Sequence, residues 1–326
     1  MSRKPKADLP EREFIRWIRR RLRVDSRTVP IGPGDDMAAV RMPSQQLLVA
    51  IDTIAEGVDF ALAGRARAAA RLRRRRDATP REIGRKALAV NLSDVAAMGG
   101  VPQWCVASVN LREGLGAVFA KEVAGGLIAA SRRYECPLVG GDITGWKDGV
   151  VVTVAIGATA AGKRAITRGG ARPGDIVLVT GSLGGSILGK HLRFEPRLAE
   201  GAWLARHIPP TAMIDISDGL GVDAAHIAEE SGAGITIREA KIPISRAAYR
   251  LSDEDGRPPL RHAISDGEDF ELLFTLPPPR AREVLGKWPF DTRISVIGEV
   301  RKGKGVTLVA AGGKKARIDS EGYQHL

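Results

Sequence analysis

The chain has 326 residues, enough for one large domain or two of ordinary size, and its 44% hydrophobic content suffices for a folded core. No apolar run reaches the length of a membrane span, and the charged start of the chain lacks the apolar region of a secretory signal. The net charge of +12 is concentrated in residues 65–76, which contain seven arginines and no acid.

The two cysteines, Cys105 and Cys136, both stand in apolar contexts, QWCVA and YECPLV. This setting favours buried, reduced thiols in a cytoplasmic protein over a disulfide or a metal pair. Aromatic residues make up only 5% of the chain, which favours tight α/β packing over an aromatic-rich sandwich.

The hydrophobic pattern predicts an α/β chain in two halves. In the first half we expect helices at 10–24, 79–100 and 115–134, and strands at 45–52, 103–111, 137–142 and 149–159. In the second half we expect strands at 175–181, 213–215, 234–245, 270–277 and 293–300, and a helix at 220–232. A connector rich in Gly, Arg and Pro separates them, so the domain boundary is placed near residue 165.

Acidic residues recur beside apolar runs in short Gly/Ser-rich settings. These segments are GPGDD (32–36), LLVAIDT (47–53), AVNLSD (89–94), PLVGGD (137–142) and MIDISDG (213–219). A carboxylate next to a buried strand is costly unless something offsets its charge. Convergence on Mg²⁺ carrying a nucleotide is the natural explanation, because Mg²⁺ prefers oxygen ligands shared between carboxylates and phosphates. For GPGDD alone, the alternative is an Asx turn capped by Asp35.

Three smaller patterns need the fold for their interpretation. GSLGGS (181–186) follows a predicted strand and is either a phosphate cradle or a tight turn. ISDG occurs at 216–219 and 264–267, and we expect it to mark equivalent strand-to-helix turns. Asn91 and Ser93 interrupt a small, apolar helix, which indicates a polar patch that faces a ligand.

The Arg run at 65–76 allows two interpretations. It is typical of segments that bind nucleic acid or an anionic surface. It is also typical of a solvated, partly helical loop insertion. We favour the insertion, because the run lacks the interleaved aromatic residues of a base-stacking platform.

In an ordered set of motifs from about residue 11 to the C-terminus, the chain resembles the thiamine-monophosphate kinases. The motifs are GDDMAAV, DTIAEGVDF, GRKALAVNLSDVAAMGG, GGDIT, TRGGARPGD, DISDGL, GEDFELLFT, VIGEV and GYQHL. That family belongs to the superfamily of aminoimidazole ribonucleotide synthetase and selenophosphate synthetase.

The resemblance implies a two-domain α/β (α+β) fold in which the N-terminal mixed sheet forms a barrel with a dimer partner. The first domain, 1–164, would bind ATP and Mg²⁺ and dimerise, and the second, 165–326, would be an α/β sandwich that completes the active-site cleft. The implied reaction transfers the γ-phosphoryl group of ATP directly to thiamine monophosphate, with several Mg²⁺ ions. A homodimer is expected, and no membrane or nucleic-acid partner.

The family pattern also implies a role for each matching residue. The metal ligands would be Asp36, Asp52, Asp94, Asp142, Asp215 and Asp218. The ATP contacts would be Gly141, Asp142, Arg168 and Ser217, with Asp218 and Arg168 as catalytic residues. The thiamine phosphate would meet Asp59, Glu268 and Tyr323.

Three departures from the family pattern concern the acceptor and the metals. Asp59 stands where the family usually has a histidine, and its charge would repel a substrate phosphate but attract a cationic thiazolium ring. Ile51 replaces the usual Ser or Thr before Asp52, so one side-chain metal contact is lost. Residues 64–78 resemble an insertion.

Two other functions remain open at this point. A related ATP-dependent enzyme with a different small-molecule acceptor would also explain Asp59. A non-catalytic, nucleic-acid-associated protein would explain the Arg run but not the acidic segments.

Overall fold

The computed structural model describes residues 25–31, 35–42, 46–63, 76–319 and 322. The predicted helix at 10–24, Tyr323 and all of the Arg run except Arg76 lie outside the described residues. No described helix combines the length and the apolar character that crossing a bilayer requires.

A five-stranded mixed sheet forms the first half. Its strands are β1 (Ala38–Arg41), β2 (Gln46–Ala55), β3 (Gly100–Arg112), β4 (Leu138–Trp146) and β5 (Val151–Ala160). Their order is β1-β2-β5-β3-β4, and only the β3–β4 pair is parallel. Along most of β5, fully buried residues alternate with half-buried ones, so one face of the sheet lies against the core. Strand β4 is an exposed edge of the sheet.

Two helices cover the buried face of this sheet, α1 (Pro80–Ala97) and α2 (Gly116–Arg133). Helix α1 begins with a capping box, in which Thr79 and Glu82 each accept the other's backbone N–H. It ends before Gly99, whose φ of 60° suits the left-handed conformation that glycine adopts without strain. The predicted helix at 79–100 is therefore present, with both of its end signals in use.

A seven-stranded sheet forms the second half. Its strands are β6 (Ile176–Thr180), β7 (Ala212–Asp215), β8 (Gly234–Arg238), β9 (Leu272–Leu276), β10 (Ile294–Arg301), β11 (Gly305–Val309) and β12 (Lys315–Arg317). Their order is β12-β11-β8-β10-β6-β9-β7. The helices are α3 (Lys190–Arg193), α4 (Leu198–His207), α5 (Leu220–Glu230), α6 (Arg246–Asp255), α7 (Pro259–Ser265) and α8 (Pro278–Lys287). Short 3₁₀ turns lie at Ser186–Leu188 and Glu239–Lys241.

Helix α1 joins the two halves. It contacts β2 and β5 of the first sheet, β7 of the second sheet and helix α4. Its last apolar residues, Ala96 and Ala97, share a buried cluster with Leu178, Leu272 and Phe274 of the second sheet. Side chains near the C-terminal end of α1 are thereby held between the two sheets, where the acidic segments meet.

The structure corrects three predicted elements. Strand β2 continues past Asp52 to Ala55, so Asp52 lies inside a strand and not at its end. The strand expected at 234–245 ends at Arg238, where a 3₁₀ turn begins. The second ISDG segment begins within the last turn of helix α7 and leads to a strand, so only the first is a strand-to-helix turn. Cys105 and Cys136 are buried free thiols.

Candidate active site

A pocket of about 330 Å³ lies between the two halves of the chain. Most of the residues selected from the sequence line it. They are Asp36, Asp52, Asp59, Asp94, Arg168, Asp215, Ser217, Asp218 and Glu268. Asp36 and Asp59 lie in the turns before β1 and after β2, Asp52 lies on β2 and Asp94 on α1. Arg168 comes from the connector, Asp215 ends β7, and the remaining three lie in loops of the second half.

Three of these acids form the closest group. Single carboxylate oxygens of Asp36, Asp94 and Asp215 all lie within 4.8 Å of one another. Asp94 stands in the last turn of α1, and Asp215 is the last residue of β7. Ser93 donates a hydrogen bond to Asp215 Oδ2 at 2.5 Å and so links the two halves directly at this group.

Arg168 supplies the positive charge beside this group. Its Nη2 donates to Asp36 Oδ1 at 2.8 Å, and its backbone N–H donates to both oxygens of Asp35 at 3.2 Å. Burial works against the Arg168 charge, but the neighbouring Asp36 outweighs it and raises the pKa of the guanidinium. Asp35 thus holds the connector in place through a contact across 133 positions, which differs from the local Asx turn that the sequence allowed.

The carboxylates repel one another in a setting with little water. Burial, followed by the charges of Asp52 and Asp215, raises the pKa of Asp94 well above its usual range. Burial and Asp36 raise the pKa of Asp215 to about 7, although the Ser93 hydrogen bond opposes the shift. Carboxyl groups whose pKa values are raised by burial and by one another are a common feature of functional sites.

The turn that carries Ser217 and Asp218 is fixed by a buried acid. Asp223, in the first turn of α5, accepts the backbone N–H groups of Asp218 and Gly219 at 3.1 and 3.0 Å. Burial and the Asp218 charge raise the pKa of Asp223 well above its usual range. The backbone N–H of Glu268 in turn donates to the Ser217 carbonyl at 2.6 Å. The two ISDG segments therefore pack against each other at the pocket.

Lys86 and Glu268 form an ion pair in the pocket wall. Lys86 projects from α1, and its Nζ also donates to the Asp59 carbonyl oxygen at 2.7 Å. The Asp59 carboxylate accepts the backbone N–H of Ala55 at 2.7 Å, which closes the turn after β2. Asp59 is thus tied to its own turn and positions Lys86 through its backbone.

The loop GSLGGS is a tight turn and not a phosphate cradle. Gly184 and Gly185 have φ values of 89° and 72°, which suit glycine. Their N–H groups, which would bind a phosphate, donate to Asp269 at 2.9 and 3.0 Å and to Asp266 at 3.0 Å.

Two predicted site residues do not line the pocket of the single chain. Gly141 and Asp142 lie on the exposed edge strand β4 and are absent from the pocket lining. Tyr323 lies outside the described residues. Asn91 is buried in α1, where its side-chain amide donates to the Ala87 carbonyl at 3.0 Å.

The sequence interpretation assigned no role to Lys86, Asp223 or Asp266. Lys86 falls inside the motif GRKALAV. Its small apolar neighbours on a capped helix were the one sequence signal that this lysine is buried. Asp223 is five residues after Asp218. Its bonds to the N–H groups of the turn depend on the backbone conformation of Gly219, whose φ is 113°.

The chain is similar to known proteins in both sequence and structure. Residues 34–163 match the family described as AIR synthase related protein, N-terminal domain, and residues 185–311 match its C-terminal domain. A thiamine-monophosphate kinase from Rhodopirellula baltica is 33% identical, over 97% of this chain and 97% of that protein. Another from Aquifex aeolicus is 35% identical, over 90% of this chain and 92% of that protein.

Solved structures agree with this relationship. AaThiL complexed with AMPPCP and TMP superposes with a TM-score of 0.82 at 30% identity, covering 99% of this chain and 100% of that one. Escherichia coli HypE, a hydrogenase maturation protein, gives a TM-score of 0.68 at 22% identity over 86% of this chain and 90% of that one, a similarity of fold alone.

Proposed function

The chain belongs to the AIR synthase related family and within it to the thiamine-monophosphate kinases, and from this premise we propose that it phosphorylates thiamine monophosphate. The γ-phosphoryl group of ATP is transferred directly, giving thiamine diphosphate and ADP. The observation that carries the proposal is the meeting of Asp36, Asp94 and Asp215 from both halves of the chain beside Arg168.

The donor set fits Mg²⁺, and we propose that the enzyme depends on it. Carboxylate oxygens are the ligands Mg²⁺ prefers. Asp36 Oδ2 is buried and has no hydrogen-bond partner among the described residues, so it is available to a cation. The chain ligands would be Asp36, Asp52, Asp94, Asp215 and Asp218. When bound, Mg²⁺ would neutralise charge on the carboxylates and on the phosphate groups.

The residues of the chain then have to position two anionic substrates, ATP and thiamine monophosphate. Arg168, held by Asp36 and Asp35, would direct its guanidinium to the ATP phosphates. Ser217 and Asp218 would present the turn before α5 to the same nucleotide. The acceptor is already a phosphate anion, so the reaction needs no base to remove a hydroxyl proton, and positioning with charge neutralisation suffices.

We further propose that the enzyme is a cytoplasmic homodimer, in which the five-stranded sheets of two copies close a barrel. Val139 and Ile143 on the edge strand β4 are 64% and 62% exposed, and a second sheet would cover them. The same contact would bring Gly141 and Asp142 of one copy towards the pocket of the other. This accounts for two predicted site residues that the single chain leaves apart from the rest.

The alternative of a different acceptor rested on Asp59. Its carboxylate is bonded to the Ala55 N–H, so the acid does not argue by itself for a changed substrate. The nucleic-acid alternative explains none of the pocket residues, and neither is proposed.

A coupled assay for ADP release tests the proposed function. We expect turnover with ATP, Mg²⁺ and thiamine monophosphate, and turnover at background level when the acceptor is omitted, replaced by thiamine, or supplied with EDTA in place of Mg²⁺. Absence of turnover in the complete mixture contradicts the proposal.

A further inference from the structure

Lys86 is a lysine held almost entirely out of water inside a ligand pocket. Its side chain is 1% exposed, yet it lines the pocket beside Glu268. Lysine is rarely buried to this extent without a paired charge, because its ammonium loses its hydration. The pairing with Glu268 and the hydrogen bond to the Asp59 carbonyl at 2.7 Å offset that loss.

Glu268 reaches this position through an unusual backbone conformation. Its φ is 55°, in the left-handed region that side chains rarely adopt. Such conformations are strained and persist where the surroundings enforce them, commonly at ligand-binding sites. Here the Glu268 N–H bond to the Ser217 carbonyl at 2.6 Å enforces it and ties the carboxylate to the loop of Asp218.

Acidic side chains strongly outnumber basic side chains in the lining of the pocket. Of the described residues that line it, eight are acidic, and Lys86 and Arg168 are the two with a positive side chain. Arg168 is paired with Asp36, in the group proposed to hold Mg²⁺ and ATP. Lys86 is paired with Glu268, so the pocket contains a second, separate ion pair that a ligand can contact.

Thiamine monophosphate carries both charges, a cationic thiazolium ring and an anionic phosphate. We propose that the Lys86–Glu268 pair determines acceptor specificity by exchanging its internal contact for two contacts with the substrate. Glu268 then pairs with the ring cation and Lys86 with the phosphate. The exchange conserves charge pairing only for a ligand that has both charges, so it selects against thiamine, which has no phosphate. This inference rests on the proposed function.

Binding measurements with matched ligands test this role. Dissociation constants would be measured by calorimetry with Mg²⁺ and a non-hydrolysable ATP analogue present. The probes are thiamine monophosphate, thiamine, and deazathiamine monophosphate, whose ring is uncharged. Lys86→Met should weaken thiamine monophosphate by about 10- to 100-fold and should not weaken thiamine, which offers Lys86 no phosphate in the unmodified enzyme. Glu268→Gln should weaken both ligands with a cationic ring and spare the uncharged analogue.

Two further variants separate specificity from structure. Lys86→Arg keeps the charge and should recover most of the selectivity between thiamine monophosphate and thiamine. Lys190→Met removes another ion-paired lysine, bonded to Glu271 outside the pocket lining, and should leave that selectivity unchanged. Thermal unfolding of each variant shows that it is folded.

The outcomes distinguish the two claims. If Lys86→Met weakens both thiamine ligands equally, or changes neither, the specificity role is overturned while the kinase function stands. If the unmodified enzyme neither binds thiamine monophosphate nor forms ADP with it, the proposed function itself fails.

Discussion

At the scale of single residues, the pocket concentrates like charges that a bound cation would relieve. Asp94 faces the charges of Asp52, Asp215 and Asp36, which the charge of Arg168 opposes. A chain selected for stability alone would not keep these acids together. The arrangement is understandable as a site whose ligand supplies the missing positive charge.

Asp94→Asn is therefore expected to raise the stability of the metal-free protein and to lower its activity. Removing one charge should stabilise the metal-free protein by about 1 kcal/mol, because one pKa unit corresponds to about 1.4 kcal/mol. Turnover should fall by at least about 100-fold, and the stabilisation by Mg²⁺ should be lost. Thermal unfolding with and without Mg²⁺, together with the ADP assay, measures all three. A variant that is destabilised yet still responds to Mg²⁺ would contradict this view of the site.

Asp269 provides a pH-dependent test outside the metal group. Burial raises its pKa to about 7, although Lys190 and the Gly184 N–H oppose the shift. The folded chain therefore holds a proton that the unfolded chain releases between about pH 4 and 7, and stability falls as pH rises through this window. Asp269→Asn should make that fall shallower by up to about 1.4 kcal/mol per pH unit. Chemical denaturation at pH 5, 6 and 7 measures it.

The exposed Asp253 offers the control for this measurement. Asp253→Asn should leave the pH dependence of unfolding as it is in the unmodified protein. Parallel pH profiles for Asp269→Asn and the unmodified protein would show that Asp269 is ionised throughout the window.

The acids could be predicted from the sequence because each stands beside an apolar run in a Gly/Ser setting. Lys86 could not, because a lysine on a helix is normally solvated, and its burial depends on Glu268, 182 positions later. Asp59 was predicted to meet the acceptor, and it lines the pocket. Its carboxylate also accepts the Ala55 N–H, a contact that the sequence did not indicate.

At the scale of elements, helices α1 and α2 approach each other through glycines. A Cβ atom at Gly84 would overlap the Val123 carbonyl oxygen, and one at Gly126 would overlap the Arg81 carbonyl oxygen. The backbones can come this close only because both positions lack a side chain. Since α1 carries Lys86, the helix contact also sets the position of the pocket wall.

Gly126→Ala and Gly125→Ala form a matched pair on α2. Gly126→Ala should destabilise the protein by about 1–3 kcal/mol, because the methyl group forces the helices apart. At Gly125 the nearest atoms to a new Cβ are 3.7 Å away, on the flexible Arg81 side chain. Gly125→Ala should be neutral or stabilising by up to about 1 kcal/mol. Chemical denaturation measures both, and equal effects at the two positions would contradict the close packing.

Element prediction succeeded where local signals decide the structure. The capping box at Thr79 and the glycine after α1 are local, and both ends of the helix followed from them. The strand at 234–245 was predicted too long, since pairing with β10 and β11 reaches only to Arg238. The prediction of a strand-to-helix turn at the second ISDG segment was wrong, because four residues do not determine the element that precedes them.

At the scale of the whole molecule, the site exists only where the two halves meet. Helix α1 and the Ser93–Asp215 hydrogen bond join them, and the acids of the pocket come from both. The two-domain fold was predictable from the resemblance. The place of Asp142 was not predictable, because β4 is the exposed edge of its sheet and lies apart from the pocket in the single chain.

Ile143→Asp tests whether β4 is a subunit interface. A charge on this strand should convert a dimer into a monomer and lower turnover, because Asp142 could no longer reach the pocket of the other copy. Leu285 on α8 is also exposed, at 46%, and Leu285→Asp should change neither property. Sedimentation velocity and the ADP assay measure both variants. A monomeric unmodified protein with full activity would refute the dimer proposal.

The most direct test of the central claim is to identify the product. ADP and thiamine diphosphate would be quantified together by quenched-reaction chromatography, for the unmodified protein and for Asp94→Asn. We expect the two products in equal amounts from the unmodified protein and at least about 100-fold more slowly from the variant. ADP without thiamine diphosphate, or an unchanged rate in the variant, would contradict a kinase site built on Asp36, Asp94 and Asp215.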